Sequence, residues 1–181
     1  MKRNAKPGLL LTACTLCLLA AQATWAGPNF KVLHAFGNGE DGAGLWSPVT
    51  LDNDGNLCGA TSGSGTHGQG VVFRLTPQSD GSWSEAILHN FPSSPDDGGD
   101  PNGALTQDAS GNWYGTTKGG GYDDFGTIFK LRDSADGWTE FPIYKLRDYD
   151  YGSAPVAGLA MDKLSNLYGT ATAIAFQIIP R

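Results

Sequence analysis

The sequence predicts an all-β fold, a β-propeller-like array of about three four-stranded repeats, and three observations predict it. One seven-residue phrase is written three times, as "GNLCGAT" at 55–61, "GNWYGTT" at 111–117 and "SNLYGTA" at 165–171. The surrounding blocks 40–61, 96–117 and 150–171 align without a gap, at offsets of 56 and then 54 residues. Beyond residue 26, short runs alternate apolar and polar residues between glycine-rich turns, and no stretch carries an amphipathic helical period. Self-similarity at such a period marks propellers, solenoids and related arrays, in which a four-stranded blade takes about 40–50 residues.

Taken in chain order, residues 1–26 read as a cleavable export signal. "MKRNAKPG" is basic, "LLLTACTLCLLAA" is apolar, and the small residues that follow allow a cut after Ala23 or after Ala26. The apolar run falls short of the roughly 18–20 residues a membrane span needs, so no span is expected in the mature chain. "LTAC" also resembles a lipobox with Cys14 as the acylated residue, although the apolar stretch before Cys14 is very short and continues past it.

The β-repeat domain then covers 27–181, with repeats at about 33–87, 88–142 and 143–181. "LHAF" at 33–36 matches "LHNF" at 88–91 and, more loosely, "IYKL" at 143–146. Asp52, Asp108 and Asp162 each stand three residues before Gly55, Gly111 or Ser165, where an Asp accepts hydrogen bonds from its own turn. The turn glycines and Asn56, Asn112 and Asn166 tolerate the positive φ of tight hairpins. Leu57, Trp113 and Leu167 begin the next strand. Gly59, Gly115 and Gly169 lack a side chain where a neighbour approaches closely. "GVVFRL" and "GTIFKL" supply a further alternating strand, and "WTEFPIYKL" another in which Pro142 points to an edge or a bulge. The third copy shrinks to "TAIAFQII". A strand near "NFKVLHAF" would complete that short unit and bring the total to twelve. The same count suits a β-trefoil, the alternative fold, while assembly of several chains into one ring and a truncated reading frame also remain open.

Composition narrows the partners. The leader takes away Lys2, Arg3 and Lys6, three of the 12 basic side chains, so 9 remain against 18 acidic ones, a formal charge of −9. Nucleic-acid binding needs a basic footprint and none is present, so no nucleic-acid partner is expected. Cys14 and Cys17 leave with the leader. Cys58 then stands alone, which excludes an internal disulfide and points to a small buried apolar residue.

"LHNF", followed by "DDGGDPNGALTQDASGNWYGTTKGGGYDDFGTIFKL" at 96–131, resembles the GloVer-type tandem repeat of exported bacterial proteins, the choice-of-anchor tandem repeat GloVer-containing family. The likeness covers 33–171 and runs down over 172–181. It is fullest in the second copy, departs in the first at Cys58 and Ala60, and is partial in the third. It implies export, a propeller-like array of more repeats than here, and surface attachment in many members. It carries no catalytic residues to transfer.

Glu40-Asp41-Gly42, Asp96-Asp97-Gly98 and Asp150-Tyr151-Gly152 recur at one repeat position and could offer oxygens to Ca²⁺. Yet "DNDGN" at 52–56 lacks EF-hand spacing, because Thr50 and Thr61 fall where ligands belong, so turn and solvation roles are expected. His34 and His89 are repeat-equivalent and Tyr144 takes their place in the third copy, which points to packing or hydrogen bonding; His67 lies alone in a loop. No histidine, cysteine and carboxylate set has ligand spacing along the chain. Asp97, Asp100, Asp123 and Asp124 are the carboxylates a glycoside hydrolase would use, and read equally as loop charge. Trp46 and the other tryptophans could stack on sugars, with core packing expected for Trp113 and edge packing for Trp83 and Trp138.

No catalytic, cofactor-binding or metal residue is therefore assigned, and no cofactor is expected. The expected function is an exported, non-enzymatic β-repeat scaffold or binding module, secreted, periplasmic or on the cell surface. Its ligand class would be a carbohydrate or a protein, and open strand edges would favour self-association. A propeller-type polysaccharide hydrolase or lyase is the alternative, and a truncated repeat protein without independent activity is a third.

Overall fold

The computed structural model describes residues 29–179 apart from 38, 93, 95, 96 and 148–153; the expected leader, 1–26, lies outside them. Every element below lies within the unit Val32–Arg181. Twelve strands and one 3-10 turn at Tyr122–Asp124 make up the regular structure, with no α-helix among the described residues.

The strands form three antiparallel sheets in chain order. Sheet one is a meander of β1 (Thr50–Leu51), β2 (Leu57–Thr61), β3 (Val71–Pro77) and β4 (Trp83–Asn90). Sheet two comprises β5 (Gly98–Pro101), β6 (Thr106–Gln107), β7 (Trp113–Gly120), β8 (Thr127–Ser134) and β9 (Gly137–Lys145), with β5 and β6 both paired to β7. Sheet three holds β10 (Ala160–Met161), β11 (Leu167–Ala171) and β12 (Ile174–Ile178). Sheet one keeps the counterpart of β5 as a single bridge, Ala43 to Gly63, matching Gly99 to Gly119 one repeat later. Among the described residues no strand of one sheet pairs with a strand of another, so the repeats are separate leaves and not the shared barrel of a trefoil.

The repeated phrase builds the turn that feeds the second strand of each leaf. Asp52 Oδ1 accepts the N–H of Asp54 at 2.9 Å and of Asn56 at 2.8 Å, while Oδ2 accepts Asn56 Nδ2 at 2.8 Å. Asp108 and Asp162 repeat these three bonds with Ser110 and Asn112, and with Leu164 and Asn166. Tyr114 and Tyr168 add a phenol O–H to the same carboxylate, at 3.0 and 3.1 Å; Cys58 has no such group to give. The turn position after the Asp carries φ of +84° at Gly55 and Gly111 and +64° at Ser165, as its glycine preference requires.

The expected close approach at the strand glycines is a ring laid over bare backbone. Gly59 pairs with Phe73, Gly115 with Phe129 and Gly169 with Phe176, and a Cβ at any of the three would meet the ring at 2.4–2.7 Å. Pro142 lies in β9, at the edge of sheet two, beside a bulge where Ile128 and Phe129 face Tyr144 and Pro142 and leave Ile143 extra. Leu88 is the extra residue at the same place in β4.

The core lies between leaves. Cys58, Val72 and Leu88 of sheet one pack with Leu105, Trp113, Phe129 and Leu131, and Tyr114 and Ile128 pack with Leu159 and Leu167. Phe36 lies 4.6 Å from Phe73 between ring centres, and Phe91 lies 5.3 Å from Phe129, so the phenylalanine that closes "LHAF" or "LHNF" packs on the leaf that follows it. Threonine hydroxyls join the leaves directly. Thr50 Oγ1 donates to the Leu105 carbonyl at 2.6 Å, Thr106 Oγ1 donates to that of Leu159, and Thr116 Oγ1 to that of Ala157 at 3.1 Å. The strand expected near "NFKVLHAF" does not form, and residues 29–37 carry no ladder bonds. His34 and Phe36 are instead spent on sheet one, with Phe36 on Phe73 and His34 beside Glu85 of β4.

Candidate functional site

Two clusters of one histidine and two carboxylates stand at equivalent points of the first two repeats. In the first, His34 comes from the stretch before sheet one, Asp41 from the acidic-glycine loop and Glu85 from β4. In the second, His89 comes from β4, Asp97 from the loop before β5 and Glu140 from β9. Within each cluster, one nitrogen or oxygen atom per residue lies within 4.8 Å of the other two. The second cluster thereby brings a side chain of sheet one beside two from the second repeat.

Packing positions each member. The His34 ring stands edge-on to Phe36 at 4.5 Å, and His89 edge-on to Phe91 at 4.7 Å. Asp41 is only 2% exposed and both its oxygens accept the Gly37 N–H, at 3.1 and 3.2 Å. Asp97 Oδ1 accepts the Gly98 N–H at 2.7 Å. His34 Nε2 lies 3.4 Å from Asp41 Oδ2 and 3.5 Å from Glu85 Oε2, longer than an ordinary N–H···O bond. Glu85 Oε1, His89 Nε2 and Glu140 Oε1 are buried without a hydrogen-bond partner.

Burial sets the electrostatics. It raises the Glu85 carboxyl above its usual range, with the Asp41 charge adding to the shift and His34 opposing it. Burial, then the hydrogen bond and negative charge of Asp97, push Glu140 up to about 9, so it holds its proton at neutral pH. His89 moves down because burial disfavours its cation, against the pull of Asp97.

The other candidates serve the scaffold. Asp100 accepts Asn102 Nδ2 at 3.1 Å and lies 3.8 Å from Lys118 Nζ, and Asp124 accepts the Gly120 N–H at 2.6 Å. Asp123 sits exposed in the 3-10 turn, at φ 53°. A pocket of about 190 Å³ opens beside these loops, lined by Gln69, Ser94, Gly98, Gly120 and Asp124 among others. Cys58 is fully buried, its thiol raised to about 12 by burial and then by the Asp52 charge, which makes it inert. Trp113 is core, Trp83 and Trp138 are half-buried beside the cores, and Trp46 is 78% exposed. Asp96 and Asp150 lie outside the described residues.

The profile of the Gloeobacter/Verrucomicrobia repeat matches residues 21–175. The chain belongs to this repeat family. No curated protein matches it. Within this GloVer chain, the histidine clusters were hidden from spacing because their members lie 7 to 51 residues apart. A signal was nevertheless present: His34 and His89, Asp41 and Asp97, and Glu85 and Glu140 are aligned pairs, and the third repeat breaks the pattern with Tyr144 and Tyr151.

Proposed function

We propose that this GloVer chain is an exported, non-enzymatic scaffold or binding module of the cell envelope or extracellular space, taking a carbohydrate or protein ligand. The observation that carries the reading is where the repeated residues go. The Asp–Asn turns, the rings over glycine and the threonine-to-carbonyl joins absorb most of the shared letters into architecture. Asp100 and Asp124 are held by turn bonds and an ion pair, and Trp83, Trp113 and Trp138 by packing, which leaves Trp46 as the exposed tryptophan among the described residues, free for stacking. Export rests on the basic, apolar and small-residue order of residues 1–26.

The test is a pull-down of the purified chain on insoluble glycans, with Trp46→Ala as control, run beside a reducing-sugar assay over the same panel. Retention that falls in Trp46→Ala, without sugar release, is the expected outcome. Sugar release that disappears in Asp97→Asn or Asp100→Asn would overturn the reading. Export is checked by sequencing the N-terminus of protein recovered outside the cytoplasm, expected at Thr24 or Gly27.

A further inference from the structure

We propose that each histidine–dicarboxylate cluster, His34–Asp41–Glu85 and His89–Asp97–Glu140, binds one divalent transition-metal ion of the zinc class, as a staple between consecutive parts of the repeat array. This is independent of which ligand the scaffold takes.

Distance is the first argument. The atoms around a tetrahedral Zn²⁺ at bonds of about 2.0–2.1 Å stand roughly 3.3–3.4 Å apart. His34 Nε2 stands 3.4 and 3.5 Å from its two carboxylate oxygens, a poor hydrogen-bond length but close to that tetrahedral edge. One imidazole nitrogen also cannot donate its single proton to two carboxylates, whereas a metal satisfies all three groups together. The second argument is charge. A dication bound by two ionised carboxylates and a neutral imidazole brings the set to zero. Third, Glu85 Oε1, His89 Nε2 and Glu140 Oε1 are buried and unpartnered. The full donor set recurs at aligned positions of the first two repeats, and Tyr144 and Tyr151 replace the His and Asp in the third.

Donor type selects the ion. Imidazole with two carboxylates suits Zn²⁺ and its first-row neighbours, while Ca²⁺ seeks six to eight oxygens and Mg²⁺ an octahedron rich in water. Three protein donors leave a fourth position for water. The staple's mechanical effect follows from where the donors come from: the second ion joins β4 of sheet one to β9 of sheet two.

The test strips the full chain with a chelator, then titrates Co²⁺ by visible absorption and Zn²⁺ by calorimetry, with melting temperature measured at each step. Variants are His34→Gln, His89→Gln, the double variant, and His67→Gln as a control outside both clusters, each checked by circular dichroism for an unchanged fold. Expected are two equivalents of metal, intense tetrahedral Co²⁺ bands, and a melting temperature raised by saturating Zn²⁺. Each single variant should lose one equivalent, the double both, and His67→Gln none. Fewer than two equivalents in the parent chain, or binding that survives in the folded double variant, overturns the proposal.

Discussion

Asp52, Asp108 and Asp162 show how one side chain sets a turn. Each accepts two backbone N–H bonds and an Asn amide, and the charged form is what those donors favour. The Asn166 side chain foremost, then the backbone donors, hold Asp162 below its ordinary value; at Asp52 and Asp108 burial pushes upward but the same hydrogen bonds outweigh it. A carboxyl depressed in the folded state stabilises fully above its unfolded value of about 3.9, and that contribution is lost as pH falls through the lower folded value. Urea midpoints measured from pH 5 down to pH 2 should therefore decline most below pH 4, and Asp108→Asn should flatten that limb. This much was legible from residues, because turn chemistry is local. The histidine clusters were not, because strand pairing has to fold before His89 and Glu140 meet.

Among the elements, the glycine-under-ring pairs make the sharpest claim. A Cβ at Gly115 would stand 2.5 Å from the Phe129 ring and 2.9 Å from Leu105. Gly115→Ala should cost about 1–3 kcal/mol by overpacking, and Phe129→Leu in the same chain should recover part of it, a coupling read from a double-mutant cycle in urea. The joins between leaves are testable in the same way. Thr106→Val removes the hydroxyl that the Leu159 carbonyl accepts, and should lower stability by about 1 kcal/mol. Strand existence was legible throughout, since "NWYGTT" and "GTIFKL" became β7 and β8 within a few residues. The missing strand at 29–37 was misread because its alternation serves packing: His34 and Phe36 face sheet one without any partner strand for the backbone.

Across the whole repeat unit, cover decreases along the chain. Tyr114 is 2% exposed under sheet three, whereas its counterpart Tyr168 is 40% exposed. The open face of sheet three, from Ala160 to Gln177, lines a shallow cavity of about 550 Å³. Local opening follows contact and burial, so amide hydrogen exchange should be fastest in β11 and β12 and slowest in β3, β7 and β8. Equal protection across the three leaves would contradict that gradient. The sequence made the number of leaves legible by its period, but how well each is covered depends on neighbours that the period alone does not specify.

The threonine joins give the array a direction. Every donor belongs to an earlier leaf and every acceptor to the next one, and the position that is Thr50 and Thr106 becomes Ala160 in the third. At that position the third leaf can receive such a bond but has no hydroxyl to pass on, although Thr170 keeps the Thr116 position. A chain lengthened by copying the second leaf would propagate the link indefinitely, whereas one lengthened by copying the third would stop it at each copy.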